Sequence, residues 1–209
     1  NVFPLTASCW FKTTQTTGTQ GVINKYLSGS RDGYTIYLDN GNIRAMYFKD
    51  ISNYVYDDIN GPLNGGFVAD GNWHHVAFTV GSTGGVLYVD GIAATGRAWT
   101  GTPGAPTTTL PLTIGGAYDD TFHGEMDEVR IYNIEKLSTE ILAEMNCEVA
   151  PQSGLLAAYH FNQGVVGANN ASQIILTDAS GNGNDGTLTN FSLTGTTSTW
   201  VAPGGVVSG

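Results

Sequence analysis

A chain of 209 residues with 12% charged side chains, 29 glycines, ten tyrosines and four tryptophans can bury one sizeable core, and its composition suits an all-β, loop-rich protein. The formal charge of -10 offers no basic cluster to neutralise phosphates, which argues against nucleic acid and anionic membrane surfaces and leaves metal cations, or plain solvation, as the reading of the acidity. No apolar run approaches the length of a membrane-spanning helix, and a core strand beginning a few residues after Asn1 reads as a mature fragment cut from a longer protein.

Taken in order, Leu5 to Thr14 is a predicted strand with Leu5, Ala7, Cys9 and Phe11 on one face. Val22 to Leu27 and Tyr34 to Leu38 follow, and Asp39-Asn40-Gly41-Asn42 is a tight turn into Ile43 to Phe48. Residues 50 to 66 read as a surface loop carrying a short strand, with Tyr54, Tyr56, Asp57 and Asp58 in it. From Asp70 to Gly91 the sequence DGNWHHVAFTVGSTGGVLYVDG is a complete antiparallel hairpin around which the rest is organised: Val76, Phe78 and Val80 alternate with His75, Ala77 and Thr79. Residues 94 to 111, rich in Thr, Gly and Pro around Trp99, read as a long loop at a ligand rim, because three prolines exclude a buried strand. Strands at 112 to 116 and 124 to 132 are joined by AYDDTFH. The single predicted helix runs from Ser138 to Asn146, with Ser138 as N-cap and Ile141, Leu142 and Met145 as its apolar stripe. Beyond residue 154, GLLAAYHFNQG is a strand, and a Gly/Asn loop leads to another.

The segments WHHVAFTV and LYVDG resemble the signature of laminin-G-like domains in the concanavalin A-like lectin and glucanase superfamily. LTASCWFKTT, LTIGG and FHGEMDEVRIYN agree with it in the same order, so the resemblance covers residues 1 to 150. It implies an all-β antiparallel sandwich, a jelly roll with one short helix, secreted or at the cell surface. In similar proteins a stretch like YHFN followed by DASGNGNDGTL precedes the sandwich; here it follows, within residues 151 to 209. Either this tail docks its strands onto the same sandwich or it begins a second repeat, and the apolar Leu155, Leu156, Ala158, Tyr159 and Phe161 favour docking.

The carboxylates of HGEMDEVRIYN invite comparison with laminarinase-type glycosidases, whose acids alternate on one strand face. Strict alternation puts Glu125, Asp127 and Val129 on one face and Glu128 on the other, so one partner acid is missing. The resemblance gives Asp127 another role, in a structural calcium site to which a docked tail would bring Asn162, Gly181 and Gly183. The loop from Asp178 to Gly183 matches the start of an oxygen-rich calcium loop, although Thr189 stands where a bidentate Glu belongs and a plain Asx turn is the alternative. Asp57-Asp58 and Asp119-Asp120 are further metal candidates on rim loops, with solvated loops as the bland reading. His74 and His75 point to opposite faces and cannot share a zinc ion. Tyr34, Tyr54, Tyr56, Trp99 and Tyr118 are the candidates for stacking on a pyranose.

Cys9 and Cys147 either form a disulfide clamping the first strand to the segment after the helix, or are two buried thiols. The expected function is a non-catalytic extracellular binding or adhesion module for a glycan or a matrix or cell-surface partner, with calcium as cofactor. A polysaccharide-cleaving enzyme and a structural spacer whose strand edges pair with neighbours are the alternatives.

Overall fold

The computed structural model describes residues 1–57, 59–117, 120–195, 198–202 and 204–206. Its elements in chain order are β1 (Leu5–Lys12), β2 (Thr19–Leu27), β3 (Asp32–Asp39), β4 (Asn42–Asp50), β5 (Asn53–Val55), β6 (Leu63–Phe67), β7 (Trp73–Gly81), β8 (Gly84–Val89) and β9 (Ile92–Ala98). There follow β10 (Thr113–Ile114), β11 (Gly116–Ala117), β12 (Asp120–Thr121), β13 (Glu125–Tyr132), the helix α1 (Ser138–Glu144), β14 (Leu155–Tyr159), β15 (Ile175–Leu176) and β16 (Gly186–Thr187). Two antiparallel sheets form the sandwich. The first has the order β14-β13-β1-β7-β8-β9; the second has β10-β2-β3-β4-β5, with β6 also on β4.

Alternation along the strands makes the core. Leu5, Ala7, Cys9 and Phe11 of β1 and Val76, Phe78 and Val80 of β7 meet Ile23, Ile36, Ile43, Ala45 and Tyr47 from the second sheet. All are buried, and each large apolar side chain so removed from water contributes about 1.5–3 kcal/mol. Two hairpins carry the turn chemistry their sequence implies. Asn40 and Gly41 between β3 and β4, and Asp90 and Gly91 between β8 and β9, all have positive φ, as a two-residue type I′ turn requires.

In the first sheet β1, β7 and β13 are buried on both faces, while the edge strand β9 is exposed. The sheet's outer side, with Thr6, Ser8, Trp10, His75, Ala77 and Arg130, lies under α1 and the segments around it. Arg130 organises this cover. Its Nη2 donates to Glu128 Oε2 at 2.7 Å, its Nη1 to the Glu144 carbonyl at 2.8 Å, and Nη2 also to the Cys147 carbonyl, so one buried cation donates to the last carbonyl of α1 and to one just beyond the helix. His160 reaches the other oxygen of Glu128 at 2.7 Å and ties β14 into the cluster.

Several expectations are corrected. In β13 a bulge at Asp127 and Glu128, with Glu128 at φ 50°, shifts the register between Ser8 and Trp10. Asp127 and Arg130 therefore pair with the outward Trp10 and Ser8, Val129 enters the core, and Glu128 joins Arg130 on the outer side. Residues 94–98 belong to the exposed edge strand β9, since the prolines at 103, 106 and 111 all come later. The helix spans Ser138–Glu144, two residues shorter than predicted, with Leu137 in place of Ser138 at the N-cap, where Glu140 accepts from the Leu137 N–H at 2.7 Å. Leu142 of its stripe is exposed, and Ile141 alone is buried. Cys9 lies between the sheets while Cys147 is exposed beyond the opposite face of the same sheet, so the expected disulfide is replaced by two free thiols.

The tail docks through backbone pairing, β14 running antiparallel to β13 from Tyr159 opposite Val129 to Leu155 opposite Tyr132. Ala157 and Tyr159 join the main core, and β15 and β16 form a small hairpin beyond.

His74 clamps the central hairpin, with Nδ1 at 2.9 Å from Asp90 and Nε2 at 3.1 Å from Asp70. Partial burial pulls His74 down, but the two carboxylates outweigh it and hold it above its ordinary 6.5. The N–H and side-chain amide of Asn72 are the main cause holding Asp70 down, at about 2. A raised base stabilises fully below 6.5 and loses that contribution as pH rises through its folded value; a depressed acid does so above 3.8 and loses it as pH falls. His74→Gln is thus expected to lower the melting temperature more at about pH 5.5 than at about pH 9, measured against the parent protein at each pH. Arg130→Met leaves Glu128 buried without its guanidinium and is expected to cost about 3–5 kcal/mol in urea unfolding.

Candidate functional site

With β1, β7 and β13 covered on both sides, there remains the outer face of the second sheet, where Asn24, Tyr37, Arg44, Tyr54 and Tyr56 are partly exposed over the buried Tyr26, Thr35, Met46 and Phe48. Three cross-strand rows lie there, spaced about 7 Å apart along the strands by the two-residue repeat. The middle row is Asn24–Thr35–Met46, flanked by Tyr26–Gly33–Phe48–Tyr54 on one side and Tyr37–Arg44 on the other. Gly33, at φ +112°, has no room for a Cβ, which would sit 1.8 Å from the Lys25 carbonyl oxygen. Its missing side chain lets the rings of Tyr26 and Phe48 meet across it, 5.6 Å between centroids.

Phe48 is the floor of an aromatic cluster. Tyr54 and Tyr56 lie 5.1 and 5.4 Å from it and meet each other edge-on at 6.2 Å, while the Arg31 guanidinium stands 5.8 Å over the Phe48 ring. Burial raises the Tyr26 phenol, opposed by Arg31. Burial first, then the Asp39 carboxylate, pushes Tyr37 up to about 12, with Arg44 opposing and Tyr56 and Tyr26 adding. These phenols are neutral hydroxyls at physiological pH and lie within electrostatic reach of one another.

Three polar atoms on the same face are buried without a hydrogen-bond partner among the described residues: Asn24 Oδ1, Thr35 Oγ1 and Arg44 Nε. Thr35 is wholly inaccessible. An unmade bond at such an atom costs about 1–3 kcal/mol. Arg44 has only a loose ion pair to Asp39, at 3.6 Å. Flat rings beside an amide, a hydroxyl and a guanidinium can stack on an apolar ligand face while bonding its polar edge.

Of the stacking candidates, Tyr54 and Tyr56 belong to this cluster. Tyr34 does not: it faces inward, stacked on Tyr47 at 6.1 Å with 8° between planes. Trp99 also packs on the core, edge-on to Phe3 and Tyr47, with Nε1 donating to the Gly81 carbonyl at 2.6 Å. Tyr118, Asp58 and Asp119 lie outside the described residues, and of Asp120 only the backbone, in β12, is described. Tyr26, Tyr37, Phe48, Arg31 and Arg44 were missed as site residues; the signal available for them is that β2, β3 and β4 carry large side chains on both faces.

The model of a laminin-G-type family, described as the concanavalin A-like lectin/glucanases superfamily, matches residues 3–142. No curated protein sequence matches the chain. Among solved structures, a Bacteroides ovatus protein provisionally assigned as carbohydrate-binding is similar at a TM-score of 0.63 and 17% identity, over 88% of this chain and 51% of its own. A Trypanosoma rangeli sialidase, solved with 2,3-difluorosialic acid as a covalent intermediate, is similar at 0.51 and 21%, over 67% of this chain and 22% of its own. At these identities the likeness establishes the lectin-like sandwich, and this chain spans about half the length of the first structure.

The calcium candidates do not converge. Among the described residues no group of three His, Cys, Asp or Glu side chains is placed to share an ion. Asp178 Oδ1 accepts from the Ala158 and Ser180 N–H groups, and Oδ2 from the Ser180 hydroxyl and the Asn184 N–H, all within 2.7–2.9 Å. Burial raises Asp178, but these donors outweigh it and hold its pKa below the ordinary value. Four donors occupy the carboxylate, so the residue does not fit a calcium ligand; Gly181 and Gly183, both at positive φ, shape the Asx turn around it. Asp127 accepts from the Glu128 and Val206 N–H groups, Asn162 bonds Glu148, and Asp57 is filled by Ile59, Asn60 and Arg97. Asp178→Asn is expected to cost about 1–3 kcal/mol, equally in calcium and in EDTA, in parallel thermal melts. A calcium-dependent rise in melting temperature that Asp178→Asn abolishes would place the ion there.

Proposed function

Because this chain belongs to the concanavalin A-like lectin/glucanases superfamily, we propose that it is a non-catalytic carbohydrate-binding module, secreted or at the cell surface, whose ligand lies on the outer face of the second sheet. One observation carries the reading: an aromatic platform around Phe48 sits beside three buried polar atoms that no described residue satisfies. Pyranose rings combine an apolar face with a rim of hydroxyls, and that is the complement of this surface.

The acids of β13 support binding over cleavage. A retaining glycosidase needs two carboxyl groups about 5 Å apart across the scissile bond, free to exchange protons with it. Glu128 is buried and held by Arg130 and His160, and Asp127 caps backbone N–H groups of the tail. Both lie on the first sheet, away from the aromatic platform. A protein or matrix partner that adds a strand at β9, the exposed edge of the first sheet and separate from the platform, is the second reading.

Tyr54→Ala with Tyr56→Ala is expected to weaken glycan binding at least about tenfold while leaving unfolding cooperative, since each aromatic contact contributes about 0.5–1.5 kcal/mol beyond area burial. Glycan-array profiling followed by calorimetry of the parent and the variant measures this. Unchanged affinity in the variant would move the site elsewhere, and silence across the array would remove the carbohydrate reading.

A further inference from the structure

Arg31 is the one Lys or Arg among the described residues whose cationic group has no protein acceptor. Lys12, Arg97, Arg130 and Lys136 are held by carboxylates, Lys25 and Lys49 by the Leu110 and Thr102 carbonyls, and Arg44 loosely by Asp39. Arg31 is exposed and rests over Phe48. Arg44, whose Nε is buried and unpartnered, stands on the same face four residues from Phe48 along β4, about 14 Å away in an extended strand. The two guanidiniums with unmet donors thus bracket one platform.

Building on the carbohydrate-binding reading, we propose that the platform takes an acidic oligosaccharide of two or three residues, its carboxylate received by Arg31 or Arg44 and its sugar rings on the partly exposed Tyr54 and Tyr56, which the buried Phe48 and Tyr26 support from beneath. The span matches such a ligand: along three rows at about 7 Å spacing the partly exposed residues are Tyr54 and Tyr56 at one end, Asn24 in the middle row, and Tyr37 and Arg44 at the other end. Arginine is suited to the task, because its planar fork meets a carboxylate with two parallel hydrogen bonds.

The overall charge of -10 does not oppose this choice. Charges more than about 8 Å from a bound anion are largely screened at physiological salt, so the local balance governs. Locally Arg31 and Arg44 stand near four carboxylates, each already accepting from the protein: Asp32 from Thr107, Asp39 from Asn40 Nδ2 at 2.9 Å, Asp50 from Ser52 and Asn53, and Asp57 from Asn60 and Arg97. At 3.6 Å and 39% side-chain exposure, the Asp39 pair with Arg44 is weak enough for a ligand carboxylate to displace.

The test uses saccharide pairs that differ by one carboxylate, sialyllactose against lactose and trigalacturonate against galactotriose, titrated calorimetrically at low and at physiological salt. The acidic member of at least one pair is expected to bind at least about tenfold tighter, with a preference that shrinks as salt rises. Arg31→Gln and Arg44→Gln are each expected to erase that preference, read as the ratio of acidic to neutral affinity within the same variant. Arg31 is exposed, so its variant carries the test even where Arg44→Gln lowers the melting temperature. Equal affinity for acidic and neutral members, or arginine variants that leave the preference intact, would overturn the inference and leave the carbohydrate platform standing. No saccharide binding of either kind, on these pairs or on an array, would remove both.

Discussion

The structure depends on a single constraint: β1 must be buried on both faces at once. Its inward residues Leu5, Ala7, Cys9 and Phe11 pack on the second sheet, and its outward residues Thr6, Ser8 and Trp10 are equally inaccessible beneath the helix segment and the chain's end. Polar side chains on that outer face need partners, and they find them in the cover. Thr6 Oγ1 donates to the Ile134 carbonyl at 2.7 Å, and Trp10 Nε1 donates to the Met145 carbonyl at 2.6 Å. The segment after β13 is thereby a structural lid fastened to the first sheet, and α1 within it has little exposed work to do.

That arrangement decides where a ligand can go. A sandwich has two outer faces, and here one is closed by α1, by Arg130 with its buried partner Glu128, and by Val206 bonded to Asp127. The acids that draw the eye in the sequence are therefore parts of the closure. The outer face of the second sheet is covered among the described residues by its own side chains, Tyr37, Tyr54 and Tyr56 packing over the buried Tyr26, Met46 and Phe48. The same closure holds the tail: β14 extends the first sheet past β13, while His160 bonds Glu128 from the tail's side.

Asp178 illustrates how far a motif can travel without its chemistry. An Asp-x-Ser-Gly-Asn-Gly run suits a cation loop or an Asx turn equally well on paper, because both need a carboxylate followed by glycines at positive φ. The difference lies in what faces the oxygens. Here they meet the N–H groups of Ala158, Ser180 and Asn184, so the carboxylate splices the tail's loop to β14.

Alternation and turn chemistry were legible in the sequence by itself: the strands of the core, the paired hairpin turns at Asn40-Gly41 and Asp90-Gly91, the antiparallel sandwich and its family resemblance all follow from side-chain period and backbone φ, which are local. Facing was not, wherever both sides of a strand carry large residues. Tyr34 and Tyr37, three residues apart in β3, must face opposite sides by alternation, but only the packing against the other sheet decides which of the two enters the core and which lies on the platform. The bulge at Glu128 is likewise invisible locally, because a non-glycine residue held at positive φ owes its conformation to Arg130 and His160, contacts made by tertiary packing. Whether Cys9 and Cys147 could meet was also a tertiary question, settled by the sheet that stands between them.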